Sequence, residues 1–193
     1  MEELIAAVER LLRSLRDPLV DEFLLLWPRP PWRRREVEAR SLPVVACLEA
    51  VSQGRPPEAA AELDRLRAEA GGLAWAQTYS AAEVGAAFLE RYGWTELVGL
   101  RGPVASDALA AGFLLLGPGT EYPAHHHAAE EIYVPLSGVA FWRRGEEGWR
   151  IRSPGEPIHH PSGQSHAMRT AEAALVALYL WRHGDLAEKS RLE

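Results

Sequence analysis

The stretch Gly119-Thr120-Glu121-Tyr122-Pro123-Ala124-His125-His126-His127-Ala128-Ala129-Glu130-Glu131-Ile132-Tyr133-Val134-Pro135-Leu136-Ser137-Gly138 decides the fold. Successive side chains of an extended strand point to opposite faces, so His125 and His127 project together while His126 faces away. Glu131 lies four residues beyond His127 and keeps that parity if the strand resumes after a turn. Two imidazoles and a carboxylate on one face suit one divalent metal ion, whether Zn, Fe, Mn, Co or Ni. A second stretch, Gly155-Glu156-Pro157-Ile158-His159-His160-Pro161-Ser162-Gly163-Gln164-Ser165-His166, is rich in turn formers and presents His166. A lone histidine is usually a surface or hydrogen-bonded residue. Here six of the 7 histidines fall between residues 125 and 166, and that clustering points to a metal. His126, His159 and His160 need no role in it.

Around these two stretches the chain is punctuated by Gly and Pro at short intervals. The apolar runs 96–100, 109–116, 131–136, 139–143, 149–152 and 174–181 have the spacing of an all-β barrel or sandwich. Before Trp94 the periodicity is helical. Leu4, Ile5, Val8, Leu11, Leu12 and Leu15 share one face of a 3.6-residue repeat, and Asp17-Pro18 ends it. A helix is expected over 34–52, with Pro43 as a kink or break, followed by a loop at Gly54-Arg55-Pro56-Pro57. Good helix formers fill 58–70 and Gly71-Gly72 closes them. Ser80 and Glu83 form a capping box that opens a helix running to Tyr92. The expected organisation is a helical extension over residues 1–92, packing on the barrel or on a dimer partner, and a metal-binding barrel over 93–193. The fold class is mainly β with an α-helical N-terminal extension.

Composition sets the outer limits. A chain of 193 residues can bury a substantial core, and 47% hydrophobic with 25% charged residues is that of a globular protein. The formal net charge of -6 argues against nucleic acid or an anionic membrane surface as partner. The single cysteine, Cys47, excludes an intramolecular disulfide. No window approaches the ~20 apolar residues of a membrane span. The start Met1-Glu2-Glu3-Leu4-Ile5 lacks the basic residues and unbroken apolar run of a signal peptide, so a cytoplasmic location is the default expectation.

The spacing resembles that of the cupin superfamily, whose barrels are double-stranded β-helices, or jelly rolls. Gly119, His125, His127, Glu131 and Gly138 fit its first motif, G(X)5HXH(X)3-4E(X)6G, at every fixed position. Gly155, Pro161, Gly163 and His166 fit the second, G(X)5PXG(X)2H(X)3N, in which Thr170 replaces the asparagine. The resemblance implies His125, His127, Glu131 and His166 as the metal ligands. From about Tyr92 to Trp181 the chain is also similar to the cupin-type dimethylsulfoniopropionate lyases, which carry a helical N-terminal extension of their own. This similarity implies β-elimination of a small carboxylate substrate to dimethyl sulfide and acrylate.

The residues bear on that chemistry. An α-proton must be taken, and a nearby cation favours the phenolate form of a tyrosine, whose free pKa is ~10. Tyr133, two past Glu131 and so on its face, and Tyr122, three before His125, are the candidate bases. A sulfonium cation favours an aromatic wall, for which Trp181 and Trp142 are candidates. The resemblance places a tyrosine at Tyr133 and a substrate-contacting tryptophan at Trp181. Trp27, Trp32, Trp75, Trp94 and Trp149 are read as structural. The same ligand set serves cupin dioxygenases and isomerases, and a non-catalytic sensing barrel is a third reading.

Overall fold

A computed structural model describes residues 1–51 and 57–193. Its helices are α1 (Glu2–Ser14), α2 (Pro18–Leu24), α3 (Pro57–Glu69), α4 (Ala81–Val84) and α5 (Ala86–Leu89), with 3-10 turns at Pro43–Ala50 and Ala70–Gly72. Eleven strands follow: β1 (Tyr92–Gly99), β2 (Val104–Ala105), β3 (Leu109–Leu116), β4 (Glu121–His126), β5 (Glu130–Pro135), β6 (Ala140–Arg144), β7 (Arg150–Arg152), β8 (Ile158–His160), β9 (His166–Thr170), β10 (Leu175–Arg182) and β11 (Arg191–Leu192). They form two sheets, ordered β2-β1-β3-β10-β5-β8 and β11-β4-β9-β6-β7. The mainly-β class with a helical N-terminal region is therefore as the sequence predicts.

The six-stranded sheet is buried on both faces, and strand parity divides its side chains between two cores. Phe113, Val134 and Leu178 point outward and join the apolar faces of the helices, represented by Leu12, Phe23 and Leu63. Leu114, Tyr133 and Tyr179 point inward and join Tyr122 and Trp142 from the facing sheet. The helices thus cover the outer face of the barrel. Local capping starts them where they are needed: Asp17 accepts hydrogen bonds from the N–H groups of Leu19 and Val20 at 2.9 and 3.1 Å and begins α2. Arg182 of β10 then lies 4.2 Å over the Phe23 ring and reaches Glu22 at 3.0 Å, tying α2 to the barrel.

The helix expected over 34–52 is corrected. Residues 34–42 form no helix, only isolated bridges at Arg34 and Arg40, and only Pro43–Ala50 coils, as a 3-10 helix. The backbone of this stretch is engaged elsewhere: Arg35 N–H donates to Pro103, Ala105 N–H to Arg33, and Trp75 N–H to Arg40, at 2.8–2.9 Å. Pro43 also disfavours a helical residue before it. The end of that expected helix, and the expected loop at 54–56, lie outside the described residues; Pro57 already begins α3. The helix opened by Ser80 is interrupted at Gly85, whose φ of +80° suits glycine, and β1 takes over at Tyr92.

One constraint on the inner sheet is severe. The pairing of β1 with β3 shifts register between Glu96 and Val98, a bulge that turns Val98 outward beside Leu97. The bulged backbone closes on Gly112, where an added Cβ would lie 1.9 Å from the Thr95 carbonyl oxygen. Gly112→Ala is expected to lower stability by about 3 kcal/mol or more, or to prevent folding, because neither backbone can yield. Chemical denaturation checks this, and a stability equal to the unsubstituted chain contradicts the tight approach.

Candidate metal centre and active site

Strand pairing assembles the site. The β4–β9 register sets His125 opposite His166, and the β5–β10 register sets Glu131 opposite Trp181 and Tyr133 opposite Tyr179. His127 follows β4 in the turn leading to β5. His127, Glu131 and His166 bring one potential ligand atom each to within 4.8 Å of one another, all three residues being buried. His125 stands beside them but outside that convergence, with its ring 4.1 Å from that of His166 and 6.3 Å from that of His127.

The hydrogen bonds show what the three imidazoles are set up to do. Each Nδ1 meets a backbone carbonyl two residues away: His125 that of Pro123 at 2.9 Å, His127 that of Ala129 at 2.9 Å, and His166 that of Gln164 at 2.8 Å. A carbonyl only accepts, so each Nδ1 carries the proton and Nε2 is left with its lone pair. The Nε2 atoms of His127 and His166 both lie 3.1 Å from Oε2 of Glu131. For neutral rings this sets lone pairs against a carboxylate oxygen, and Nε2 of His166 has no hydrogen-bond partner despite that distance. A positive charge among the three groups resolves the conflict. The residues therefore fit a divalent metal held by imidazole nitrogen and carboxylate oxygen.

Ionisation follows the same logic. Burial pushes the Glu131 carboxyl up most strongly, yet His127 and His166 outweigh it and hold the group well below the usual carboxylate range. Burial works against charged His127, but Glu131 beside it raises the group overall. His125 is held well below its ordinary value by burial and then by His166. Burial, reinforced by Glu131, pushes the Tyr133 hydroxyl well up. Burial and then Tyr92 and Tyr79 do the same to Tyr122.

Beside the ligand cluster lies a cavity of about 250 Å³, small enough to suit a ligand of a few heavy atoms. Glu131, Tyr133, Tyr122 and Trp181 all line it. Tyr122 stacks on His125 at 4.0 Å, and its hydroxyl lies 3.1 Å from that of Tyr79 and 3.3 Å from that of Tyr92. The Trp181 ring lies 4.1 Å from that of His127, and its Nε1–H donates to Oε1 of Glu131 at 2.6 Å. Its most evident task is to aim the carboxylate. Trp142, the other candidate for an aromatic wall, packs on Tyr133 with rings 5.0 Å apart, is 2% exposed, and is not among the residues that line the cavity.

Sequence reading missed other parts of the site. Trp94, read as structural, lines the cavity together with Tyr92, Glu96 and Tyr179. His160, assigned no role, pairs in register with Glu131 and stacks on His166 at 4.1 Å. Parity offered a signal for four of these: Tyr92, Trp94 and Glu96 alternate along one strand, and Tyr179 is two before Trp181. His160 is placed by a strand pairing that carries no local signal.

Comparison with known proteins follows from this geometry. The family model for dimethylsulfoniopropionate lyase matches residues 28–177. The chain belongs to the dimethylsulfoniopropionate lyase family. Among curated relatives, it is 45% identical over 113 residues to dimethylsulfoniopropionate lyase DddQ of Ruegeria pomeroyi, covering 58% of this chain and 55% of that protein. It is 32% identical over 114 residues to putative dimethylsulfoniopropionate lyase DddL of Cereibacter sphaeroides, covering 58% and 47%. The matched region spans about half the length of these curated relatives. This chain superposes over nearly its whole length on two solved chains. One comes from crystal structures of the DMSP lyases RdDddP and RnDddQII, with TM-score 0.86, 28% identity and coverage of 100% and 98%. The other is DMSP lyase DddQ from Ruegeria pomeroyi DSS-3, with TM-score 0.82, 34% identity and coverage of 97% and 96%. Among the described residues, no helix is long and apolar enough to cross a membrane.

The Trp181 contact yields a test. Trp181→Phe keeps the ring against His127 and removes the N–H donated to Glu131. Loss of an orienting partner of this kind is expected to weaken metal affinity about tenfold or more. Competition with a chelator measures it; unchanged affinity means that Glu131 is oriented without the indole.

Proposed function

We propose that this protein cleaves dimethylsulfoniopropionate to dimethyl sulfide and acrylate by β-elimination. The observation that carries the reading is one cavity wall on which Tyr133 stands beside Glu131, two residues apart on β5, with Trp181 opposite Glu131 on β10. Membership of the lyase family and the names of the relatives support it. Four residues would hold or flank the ion: His127, Glu131 and His166 as ligands, with His125 adjacent.

When bound there, a divalent ion supplies the charge that receives the substrate carboxylate, steadies negative charge developing at its α-carbon, and offsets the burial that otherwise keeps Tyr133 protonated. Tyr133 takes the α-proton. The electrons of that C–H bond become the second bond between the α- and β-carbons. The bond from the β-carbon to sulfur breaks, sulfur keeps the pair, and neutral dimethyl sulfide leaves beside acrylate. The proton remains on the Tyr133 oxygen until it passes to water. Tyr122, whose hydroxyl joins those of Tyr79 and Tyr92, is the second candidate base, while its stacking on His125 also makes it a positioning residue for that ring. Water is kept from the reacting atoms by the depth of the site, where Glu131 has no exposed surface.

Headspace gas chromatography of metal-loaded protein with this substrate tests the assignment. Wild type is expected to release dimethyl sulfide, and Tyr133→Phe to lose about a hundredfold or more of that rate, the usual contribution of a general base. Tyr122→Phe is expected to lose less. A metal-loaded wild type that releases none overturns the substrate, and a Tyr133→Phe variant at full rate overturns the base.

A further inference from the structure

Four charged side chains line the cavity apart from the ligand cluster: Glu96, Arg101, Glu188 and Lys189. Glu96 is 6% exposed and lines the cavity on a stretch of β1 whose inward positions are otherwise aromatic, Tyr92 and Trp94. Oε1 of Glu96 is occupied: it accepts from the backbone N–H of Gly102 at 2.9 Å and from that of Arg101. Among the described residues, no N–H or O–H donates to Oε2. Its nearest cation is the Arg101 guanidinium at 3.8 Å, which is 44% exposed and directed to the Leu186 and Ala187 carbonyls at 3.3 and 3.0 Å. Arg101 also lines the cavity, its guanidinium 5.8 Å from the centre of the Trp94 ring, so a cation seated at Oε2 shares the carboxylate with a partly exposed arginine.

Strand register fixes where this charge stands. Glu96 pairs with Gly112, Gly112 with Tyr179, and Tyr179 with Tyr133, so these residues form one row across four neighbouring strands. Adjacent strands are about 4.8 Å apart, which separates the Glu96 and Tyr133 backbones by roughly 14 Å along the sheet. Side chains reaching inward from a curved sheet close much of that gap.

We propose that Oε2 of Glu96, with the rings of Trp94 and Tyr179, seats the positive sulfur end of the substrate, while the carboxylate end lies at the Glu131–Tyr133 wall. The assignment rests on the lyase reading for its substrate and adds to it the residue that selects for a cationic leaving group. A carboxylate facing a sulfonium and flanked by aromatic faces complements its charge in a site with little water. The energetic consequence is asymmetric. The sulfur is positive in the substrate and becomes neutral as its bond to carbon breaks, so Glu96 favours the bound substrate over the transition state. It therefore sets affinity and selectivity, not the rate of the chemical step.

The test is calorimetric binding of two ligands of one shape, 3-(trimethylammonio)propionate, which is cationic at its bulky end, and 4,4-dimethylpentanoate, which is neutral there. Metal-loaded wild type is expected to bind the cationic ligand about tenfold tighter or more, and Glu96→Gln to abolish most of that preference while binding the neutral ligand as before. In turnover, Glu96→Gln is expected to raise KM by a similar factor with kcat unchanged or higher, a split that a merely structural role does not produce. Equal binding of the two ligands by wild type, no binding of the cationic one, or a preference retained in Glu96→Gln each overturns the proposal. The wild-type comparison decides the matter even if the variant fails to fold. Preference for the cationic ligand without release of dimethyl sulfide would discard the lyase chemistry and leave the cation seat standing.

Discussion

Glu131 is a carboxylate with no exposed surface. An ion stripped of water to this degree costs several kcal/mol unless it is paired and hydrogen-bonded. Its surroundings are organised to meet that demand: an indole N–H on one oxygen at 2.6 Å and two imidazole Nε2 atoms 3.1 Å from the other. Those imidazoles are in turn committed by backbone carbonyls that hold their protons on the far nitrogen. A cation at the meeting point reconciles the whole set. The lysine and arginine side chains supply none there, since the described hydrogen bonds and ion pairs of Glu131 involve only His127, His166 and Trp181.

That arrangement makes heavy demands on the scaffold, because the ligands come from separate segments and must be held still. The six-stranded sheet meets the demand by being buried on both faces. Alternate residues of the same strands do two jobs: Ile132, Val134 and Leu178 anchor the sheet to the helices, while Glu131, Tyr133 and Tyr179 build the cavity. A shift of one residue in register would exchange these sets, placing a carboxylate among leucines. The helical region therefore serves the site at a distance, by fixing the outer face of the sheet that carries it. Gly112 shows the same economy, since only a residue without a side chain admits the β1 bulge.

What was legible in the sequence was what depends on local spacing. Alternation placed His125, His127, Glu131 and Tyr133 on one face, while the turn-rich run after Gly155 only presented His166, which the cupin resemblance joined to the ligand set. The structure brings these residues together, with His125 at the margin of the cluster. The residues that escaped are those whose position is set by pairing with a remote strand. His160 meets His166 only because β8 pairs with β5. Glu96 and Tyr179 share a cavity only because β1, β3 and β10 align in one register. Trp142 is ambiguous in the sequence because an aromatic residue on an inward face can meet either a ligand or another ring, and in the structure it packs on Tyr133. The segment before Pro43 was misread as helix because its backbone partners, Pro103 and Leu73, lie far along the chain.

The central claim is that His127, Glu131 and His166 converge on a single divalent ion. Anomalous diffraction from crystals grown with a transition metal, recorded at its absorption edge, tests it most directly. The account predicts one strong peak per chain, within about 2.3 Å of Nε2 of His127, Nε2 of His166 and a Glu131 oxygen, as such ligands require. A peak elsewhere, or fully ordered crystals of metal-saturated protein with no peak among these three residues, would contradict it.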